Sequence, residues 1–261
     1  MTPPEKEPNK SADGAGELVD EANGITRSFL GFNSLRSLLI LILVIVAFRS
    51  VIMSPYHVPT GSMEPTIKIG DRLLALKMYY DLRLPFTDLV LTSWRTPQRG
   101  DIIVFQYPKD PSVNYVKRVI ALAGDQVEIK EDVLHINGRA QTLTPVEGDS
   151  DLLQDVDHGS NMQLFSENLS GYQHFVTHDL PASRRFQLSN FPAGNRPFVV
   201  PENSVFVLGD NRDHSLDSRT WGEVPLSYVK GKAMFIIWSI YSPQGSGMPS
   251  LRFDRFGKWL Y

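Results

Sequence analysis

Hydrophobic and polar positions divide the chain into three regions. Residues 1–33 are mostly polar, residues 35–53 are mostly apolar, and residues 54–261 alternate short apolar runs with turn residues. A segment as polar as the first cannot bury enough surface to offset its chain entropy. We therefore expect residues 1–33 to form a disordered tail.

The apolar region is unbroken over residues 38–48. A helix that spans a bilayer needs about 20 largely apolar residues, and the range 35–53 reaches that length if Arg36 and Arg49 extend toward the headgroups. The alternatives are a buried core helix and a cleaved secretory signal. However, no polar residue marks an outward face, and no Ala-x-Ala pair follows the run. The pattern predicts a single transmembrane anchor over 35–53.

Charges beside this anchor bear on its orientation. Arg27 and Arg36 precede its unbroken apolar run and favour a cytoplasmic N-terminus. The sequence has no second apolar run of this length, so residues 54–261 are expected on one side of the membrane. Three cations that follow the apolar run weaken the bias: Arg49, Lys68 and Arg72.

The region after the anchor has the pattern of a mostly β domain. Its β-branched and aromatic runs are bounded by turn residues, and Asn137-Gly138 between two alternating segments indicates a β-hairpin. A helix-like stretch is expected near 73–80. The clearest strand candidates are 101–107, 115–121, 126–130, 133–136, 198–200 and 204–208.

Residues 145–195 differ in being more polar and richer in proline. The segment 149–158 holds several carboxylates and one histidine, which would fit a metal site, but the spacing matches no ligand pattern such as the twelve-residue calcium loop. A solvated acidic loop of unknown role is favoured. The residues concerned are Asp149, Asp151, Asp155, Asp157 and His158.

Composition narrows the classes of function. A chain of 261 residues, 42% of them apolar, suffices for one large domain or two small ones. The net charge of -3 gives no broad basic surface, so nucleic acid is not expected as a partner. The absence of cysteine excludes disulfides, a thiolate nucleophile and a cysteine-based metal site.

The first candidate for chemistry is the segment 59–66, PTGSMEPT. Its prolines hold the chain extended or turned. Gly61 would let a substrate backbone approach Ser62 closely, and Thr60 adds a second hydroxyl. A serine in such a turn is most often structural, so the segment alone does not establish catalysis.

The second candidate is the strand-like segment 114–125, NYVKRVIALAGD. A period of two places Lys117 on one face and Arg118 on the other, each among apolar neighbours. A half-exposed strand lysine is the simpler interpretation. Burial would lower the pKa of the amine from about 10.4, and a neutral amine is a competent general base.

The third candidate is the segment 209–222, GDNRDHSLDSRTWG, which follows an apolar run. Its density of aspartate and arginine favours a rigid network of charge-assisted hydrogen bonds over a surface loop built from Asx turns. We expect such a network to support residues that carry function.

Together these segments resemble the bacterial type I signal peptidases (leader peptidases), serine proteases with a Ser/Lys dyad. The matching segments follow the family's order after an N-terminal anchor: 59–66, RGDIIVF at 99–105, YVKRVIALAGD at 115–125 and GDNRDHSLDSRTWGEVP at 209–225.

The resemblance implies a role for each matching residue. Ser62 corresponds to the nucleophile and Lys117 to the general base. The oxyanion hole would consist of the Ser62 N–H and the Thr60 hydroxyl, and Ser215 would orient the lysine by a hydrogen bond. Supporting roles fall to Asp217 with Arg219 and to Asp210 with Arg212.

The chain departs from the family pattern at three positions. Thr60 stands where serine is common, Ala123 where proline is frequent and His214 where asparagine is frequent. None of these changes removes a reactive group, because the threonine hydroxyl can still donate.

The resemblance also implies the activity and its setting. The chain would remove N-terminal signal peptides from exported preproteins, cutting after a small-x-small motif, with no metal or organic cofactor. An extended substrate would pair with the backbone around 59–62. Its partners would be preproteins and the lipid bilayer of the bacterial inner membrane, with the catalytic domain on the periplasmic side. The expected fold is an antiparallel β-sheet catalytic domain over 54–261 with an inserted β-rich lobe at about 130–200, and the oligomeric state is left open.

The sequence allows other interpretations of the base, the class of protein and the apolar residues after the anchor. His57 could act as the base, but five residues of extended chain place it about 16 Å from Ser62. A self-cleaving repressor would need a DNA-binding region, which residues 1–53 lack, and a non-catalytic binding protein would not need Ser62, Lys117 and Ser215. The apolar residues of 82–94 either meet the bilayer or pack in the core.

Overall fold

The computed structural model describes residues 35–84, 87, 89–147, 151–156, 161–180, 190–192, 196–241 and 248–260. The chain divides into two units, Met1–Phe48 and Arg49–Tyr261. The tail predicted over 1–33 lies outside the described residues, as do the two ends of the acidic segment 149–158.

Helix α1 runs over Leu35–Ile52, close to the range predicted as an anchor. It contains neither glycine nor proline, and it ends before Pro55, since a proline disfavours helical backbone at the residue before it. The apolar side chains at 38–46 are exposed. Among the described helices, none is long and apolar enough to cross a lipid bilayer. The transmembrane anchor stays a prediction.

The remaining elements are mostly strands. The short helices are α2 (Ser218–Trp221) and single turns of 3-10 helix at Lys77–Tyr79, Asp151–Leu153, Arg212–His214, Leu226–Tyr228 and Phe253–Arg255. The strands, in chain order, are β1 Met53–His57, β2 Asp71–Leu76, β3 Asp81–Arg83, β4 Val90–Ser93, β5 Ile102–Tyr107, β6 Asp110–Leu122, β7 Gln126–Lys130, β8 Val133–Ile136, β9 Arg139–Ala140, β10 Thr142–Pro145, β11 Met162–Leu169, β12 Tyr172–Asp179, β13 Asn190–Phe191, β14 Phe198–Val199, β15 Ser204–Leu208, β16 Val224–Pro225, β17 Val229–Tyr241 and β18 Ser250–Leu251.

The largest sheet is antiparallel and has the strand order β1-β2-β17-β5-β6-β15-β16, with β18 paired to β17. Strand β6 pairs with β5 over most of its length but with β15 only at 118–122. The segment 110–117 of β6 therefore has one edge that carries no partner strand within the described part of the chain. Pro55 lies in β1, at the edge of the sheet, where a missing N–H is tolerated.

The helix-like stretch expected near 73–80 is wrong. Residues up to Leu76 form β2, and only Lys77–Tyr79 turn as a 3-10 helix. Alternate side chains of β2, including Leu73 and Ala75, are fully buried. The strand pairs on both edges, with β1 and with β17, and this pairing decides its conformation.

Three smaller sheets accompany the large one. Strands β13-β7-β8-β9, with β14 beside β7, form one sheet, β10-β11-β12 form another, and β3-β4 form a hairpin. The hairpin predicted at Asn137-Gly138 is confirmed, since it joins β8 to β9 with positive φ at both residues. Antiparallel sheets throughout the described residues confirm a mostly β domain.

The turn that carries Ser62 is anchored in the core. Met63 and Ile67 are 1% and 0% exposed and belong to a hydrophobic cluster built on β2, β5 and β17. Burial of these two side chains is worth roughly 1.5–3 kcal/mol each. The position of Ser62 relative to the large sheet is therefore fixed by its immediate neighbour.

Candidate active site

The segment 59–67 forms a tight turn between β1 and β2. The N–H of Glu64 donates to the carbonyl oxygen of Gly61 at 3.1 Å, and that of Ile67 to Met63 at 2.9 Å. A Cβ at position 61 would lie 2.4 Å from an oxygen of the buried Glu64 carboxyl group. Glycine at this position leaves room for the close approach of the Glu64 carboxyl group.

Lys117 meets Ser62 at this turn. Its Nζ donates a hydrogen bond to the Ser62 Oγ, and the lysine is only 3% exposed. The amine also lies 5.6 Å from the centre of the Tyr115 ring. The structure brings together two residues that are 55 positions apart in sequence.

Burial lowers the pKa of Lys117 from 10.5 to about 8. The negative charges of Asp217 and Asp210 act in the opposite direction, and the Arg219 charge lowers the pKa further. A substantial fraction of this amine is therefore neutral near pH 8, in direct contact with a hydroxyl group that it can deprotonate.

A cavity of about 320 Å³ opens beside this pair. It is lined by the segment 57–60 and by the segment 113–117 of β6, whose edge is unpaired among the described residues. The lining also includes Met63, Ile67, His214 and Leu216. A strand edge beside a cavity is a typical binding site for an extended peptide.

The oxyanion candidates lie at the same cavity. The hydroxyl-bearing Thr60 lines it and is exposed. The backbone N–H of Ser62 makes no hydrogen bond with the residues that the structure describes. Both groups are thus available to a ligand.

Ser215 lies close to the pair but without the expected contact. It is buried, and a Cβ added to Gly209 would lie 2.2 Å from its Oγ and 2.3 Å from the carbonyl oxygen of Ser62. In the described part of the chain, the Ser215 hydroxyl makes no hydrogen bond to Lys117. The predicted contact is therefore not formed, although Ser215 packs against the same glycine as Ser62.

The predicted pair of Asp217 and Arg219 is formed. Arg219 donates from Nε and Nη2 to the carboxylate at 2.8 and 2.9 Å, and the N–H of Gly209 donates to it at 3.0 Å. Burial would raise the pKa of Asp217, but Arg219 together with the other hydrogen bonds to the carboxylate outweighs burial and keeps that pKa below its ordinary value. The carboxylate therefore stays charged and holds Gly209 in place.

Asp210 links the first and second motifs. It accepts two hydrogen bonds from Arg118, at 2.9 and 2.8 Å, and one from the Thr66 hydroxyl at 2.6 Å. Arg118 also donates to the carbonyl oxygen of Gly100 at 2.9 Å. All three motifs thus converge on one buried carboxylate, as the density of charge in the third motif suggested.

Arg212 binds a residue that sequence reasoning did not identify. Its guanidinium pairs with Glu167 of β11 through two hydrogen bonds, one of them 2.8 Å long. Glu167 is fully buried, and His174 of β12 lies 3.2 Å from it. No local signal in the sequence marks Glu167, because its partner lies 45 residues away.

Asn211 was also missed, although it lies within the third motif. Its side-chain amide donates to the carbonyl oxygen of Gly61 at 3.0 Å, and its backbone N–H donates to that of Ser62 at 3.2 Å. The sequence analysis relied on the aspartate and arginine residues of this motif, and an uncharged asparagine among them did not stand out.

His57, the alternative base, makes no contact with Ser62 like that of Lys117 among the described residues, and His214 has a different partner. His57 lines the cavity and is exposed, and it makes no hydrogen bond with Ser62 in the described structure. The Nε2 atom of His214 lies 2.8 Å from the carboxylate of Asp179 in β12. Within the described ranges, no three His, Asp or Glu side chains are arranged to hold a metal ion.

The chain is similar to several known proteins. A family model described as signal peptidase, peptidase S26, matches residues 32–238. A signal peptidase I of Pseudomonas aeruginosa is 33% identical over 225 residues, covering 82% of this chain and 74% of that protein. One of Aquifex aeolicus is 35% identical over 224 residues, covering 77% of this chain and 82% of that protein. A crystal structure of a signal peptidase I from Enterococcus faecalis V583 is 33% identical, covers 54% of this chain and 98% of that one, and has a TM-score of 0.30.

Proposed function

The chain belongs to the signal peptidases of family S26, which are serine endopeptidases, and from this membership we propose that it cleaves signal peptides from exported preproteins with a Ser62–Lys117 dyad. The peptide bond after a small-x-small motif is cleaved, and the reaction proceeds through an acyl-enzyme intermediate. The reaction needs neither a metal ion nor an organic cofactor.

The contact between Lys117 and Ser62 carries this proposal. A serine hydroxyl is a weak nucleophile until a base takes its proton. The amine of Lys117 is buried, its pKa is lowered to about 8, and it donates to the Ser62 Oγ while protonated. In its neutral form the same nitrogen accepts the hydroxyl proton.

The cycle follows from these positions. Lys117 removes the proton of Ser62, and the oxygen attacks the scissile carbonyl. The Ser62 N–H and the Thr60 hydroxyl stabilise the oxyanion. The protonated lysine then donates to the leaving amine, and afterwards it activates the water that hydrolyses the acyl-enzyme.

Substrate binding by strand addition is supported by the edge of β6 that has no partner strand among the described residues. The segments 113–117 and 57–60 both line the cavity. A peptide between them would pair through its backbone, with alternate side chains entering the cavity. Small side chains suit the close approach that Ser62 requires.

Attachment to the bacterial inner membrane, with the catalytic domain on the periplasmic side, is part of the proposal. Two groups of exposed apolar side chains support it: those at 38–46, and Leu84, Leu89, Leu91 and Trp94 around the β3-β4 hairpin. The exposure of the second group argues against its packing in the core. Alkaline extraction of membranes tests the attachment, since an integral protein stays in the pellet.

The test of function is cleavage of a preprotein by the purified full-length chain in detergent. We expect Ser62→Ala and Lys117→Ala to abolish cleavage after a small-x-small site, whereas Ser250→Ala and Lys130→Ala, at exposed positions, keep the wild-type rate. A near-full rate for Lys117→Ala would refute the dyad even though the family assignment stands.

A further inference from the structure

Asn211 joins the loop after β15 to the turn that carries Ser62. Its Nδ2 donates to the carbonyl oxygen of Gly61 at 3.0 Å, and the same oxygen accepts the N–H of Glu64 at 3.1 Å. Its backbone N–H donates to the carbonyl oxygen of Ser62 at 3.2 Å. The peptide between Gly61 and Ser62 is thus held at its carbonyl end by two donors, one of them a side chain that is 97% buried, since Asn211 is 3% exposed.

The other end of this peptide is the N–H of Ser62. The peptide is trans, so its C=O and N–H lie in one plane and point in opposite directions. A bond that fixes the carbonyl therefore also fixes the direction of the N–H. A donor on the carbonyl oxygen polarises the amide as well, which strengthens the N–H as a donor to a developing negative charge.

The second polar atom of the Asn211 side chain has no use in the fold. Its Oδ1 is buried and has no hydrogen-bond donor among the described residues. A buried acceptor without a partner carries a free-energy penalty, which an apolar side chain of similar size would avoid. The presence of asparagine is explained if its Nδ2–H group is required at Gly61.

We propose that Asn211 is a positioning residue for the oxyanion hole. Its side-chain amide orients the Gly61–Ser62 peptide so that the Ser62 N–H points at the oxygen of the tetrahedral intermediate. The inference rests on the proposed function, in which that N–H stabilises the oxyanion. Asn211 makes no hydrogen bond with Lys117 in the described structure, so it acts on charge stabilisation and leaves proton transfer unchanged.

The test replaces the amide with side chains of similar size, Asn211→Leu and Asn211→Asp. We expect kcat and kcat/KM to fall together by roughly 10-fold to 100-fold, with KM unchanged, because the lost interaction belongs to the transition state. A peptide boronic acid, which forms a tetrahedral adduct with Ser62, should bind more weakly by a similar factor. Binding of an uncleaved peptide, compared between Ser62→Ala and Ser62→Ala/Asn211→Leu, should be the same.

Asn168→Leu is the matched control. The Oδ1 of Asn168 accepts a hydrogen bond from the N–H of Gly171 at 2.7 Å in the β11-β12 turn. This variant therefore also loses a hydrogen bond between an asparagine side chain and the backbone. Its kinetics should equal those of the wild type. The unfolding midpoint of each variant shows whether it is folded. If Asn211→Leu does not fold, the kinetics of Asn211→Asp test the proposal.

Two outcomes overturn the proposal: a folded Asn211 variant with wild-type kcat, or a loss that appears equally in KM and in binding of the uncleaved peptide. Cleavage by Ser62→Ala would instead reject the proposed function, so the two failures are distinguishable.

Discussion

At the scale of single residues, surroundings decide chemistry more than residue type does. Lys117 and Lys68 are both buried, and burial lowers the pKa of each to about 8. Lys117 contacts a serine hydroxyl, whereas Lys68 donates to the backbone oxygen of Gln154. A lowered lysine pKa is therefore insufficient to identify a base in this chain, and the contact with Ser62 makes the difference.

The pH dependence of cleavage follows from the Lys117 pKa. Below about pH 8 the amine is protonated and cannot accept the Ser62 proton, so kcat/KM should rise with pH through an apparent pKa near 8. A pH–rate profile with a peptide substrate measures this limb. Lys68→Arg keeps the positive charge, but the arginine does not titrate in this range. The rise of kcat/KM with pH should therefore persist in this variant. Its loss would show that Lys68, and not Lys117, is the titrating group.

Gly209 is expected to tolerate no side chain. A Cβ there would lie 2.2 Å from the Ser215 Oγ and 2.3 Å from the carbonyl oxygen of Ser62, so Gly209→Ala must displace the Ser62 backbone or the Ser215 side chain beside it. A displacement near 1 Å costs about 100-fold in rate, and we expect kcat/KM to fall by about that factor. Gly138→Asn, in the open β8-β9 turn, serves as the control, and full activity of Gly209→Ala would contradict the described packing.

At the scale of elements, local patterns predicted strands well where the alternation was regular. The candidate runs matching β5, β7, β8 and β15 are confirmed. Strand β2 was missed because the spacing of its apolar residues fits a helix as well, and pairing with β1 and β17 decides between the two. Strands β11 and β12 were not predicted because their region is polar, although β11 supplies Glu167.

Glu167 connects β11 to the loop that carries Asn211. Burial would raise the pKa of Glu167, but Arg212 and His174 together outweigh burial and lower it, so the pair of Glu167 and Arg212 is charged at neutral pH. Glu167→Ala leaves the Arg212 guanidinium buried without its counter-ion, and we expect the free energy of unfolding to fall by about 3–5 kcal/mol. Urea unfolding measures this loss, and Glu128→Ala, which removes the partly exposed pair with Lys130, should change the free energy by less than about 1 kcal/mol. Equal effects of the two variants would argue against a buried pair.

At the scale of the whole molecule, the decisive contacts join distant parts of the chain. Arg118 and Asp210 are 92 residues apart, and Asp71 and Arg255 are 184 apart. No periodicity pairs such residues. The resemblance of the ordered motifs to a known family was the only sequence signal for the Ser62–Lys117 contact, and it gave no information on Glu167 because that residue lies outside the motifs.

Asp71 fastens the C-terminal segment to the large sheet. Its carboxylate accepts hydrogen bonds from Arg255 and from Ser239, and Arg252 lies 3.6 Å away. Asp71→Asn removes the charge that balances two buried guanidinium groups, and we expect the free energy of unfolding to fall by about 3 kcal/mol. Chemical unfolding in detergent gives the value. Asp110→Asn, at the exposed start of β6, should match wild type, and an equally stable Asp71→Asn would show that the arginines need no counter-charge.

Strand β6 carries Lys117 and Arg118 on opposite faces, and this arrangement constrains how the gene can change length. A shift of one residue along β5 would bring a guanidinium, which cannot give up its proton, to the position of the amine. The ion pair with Asp210 opposes such slippage, since Arg118 is held on its own side by several bonds. Insertions and deletions in proteins that descend from this chain should therefore be found at the turn between β5 and β6. They should be absent from the paired stretch of β6 between that turn and Lys117.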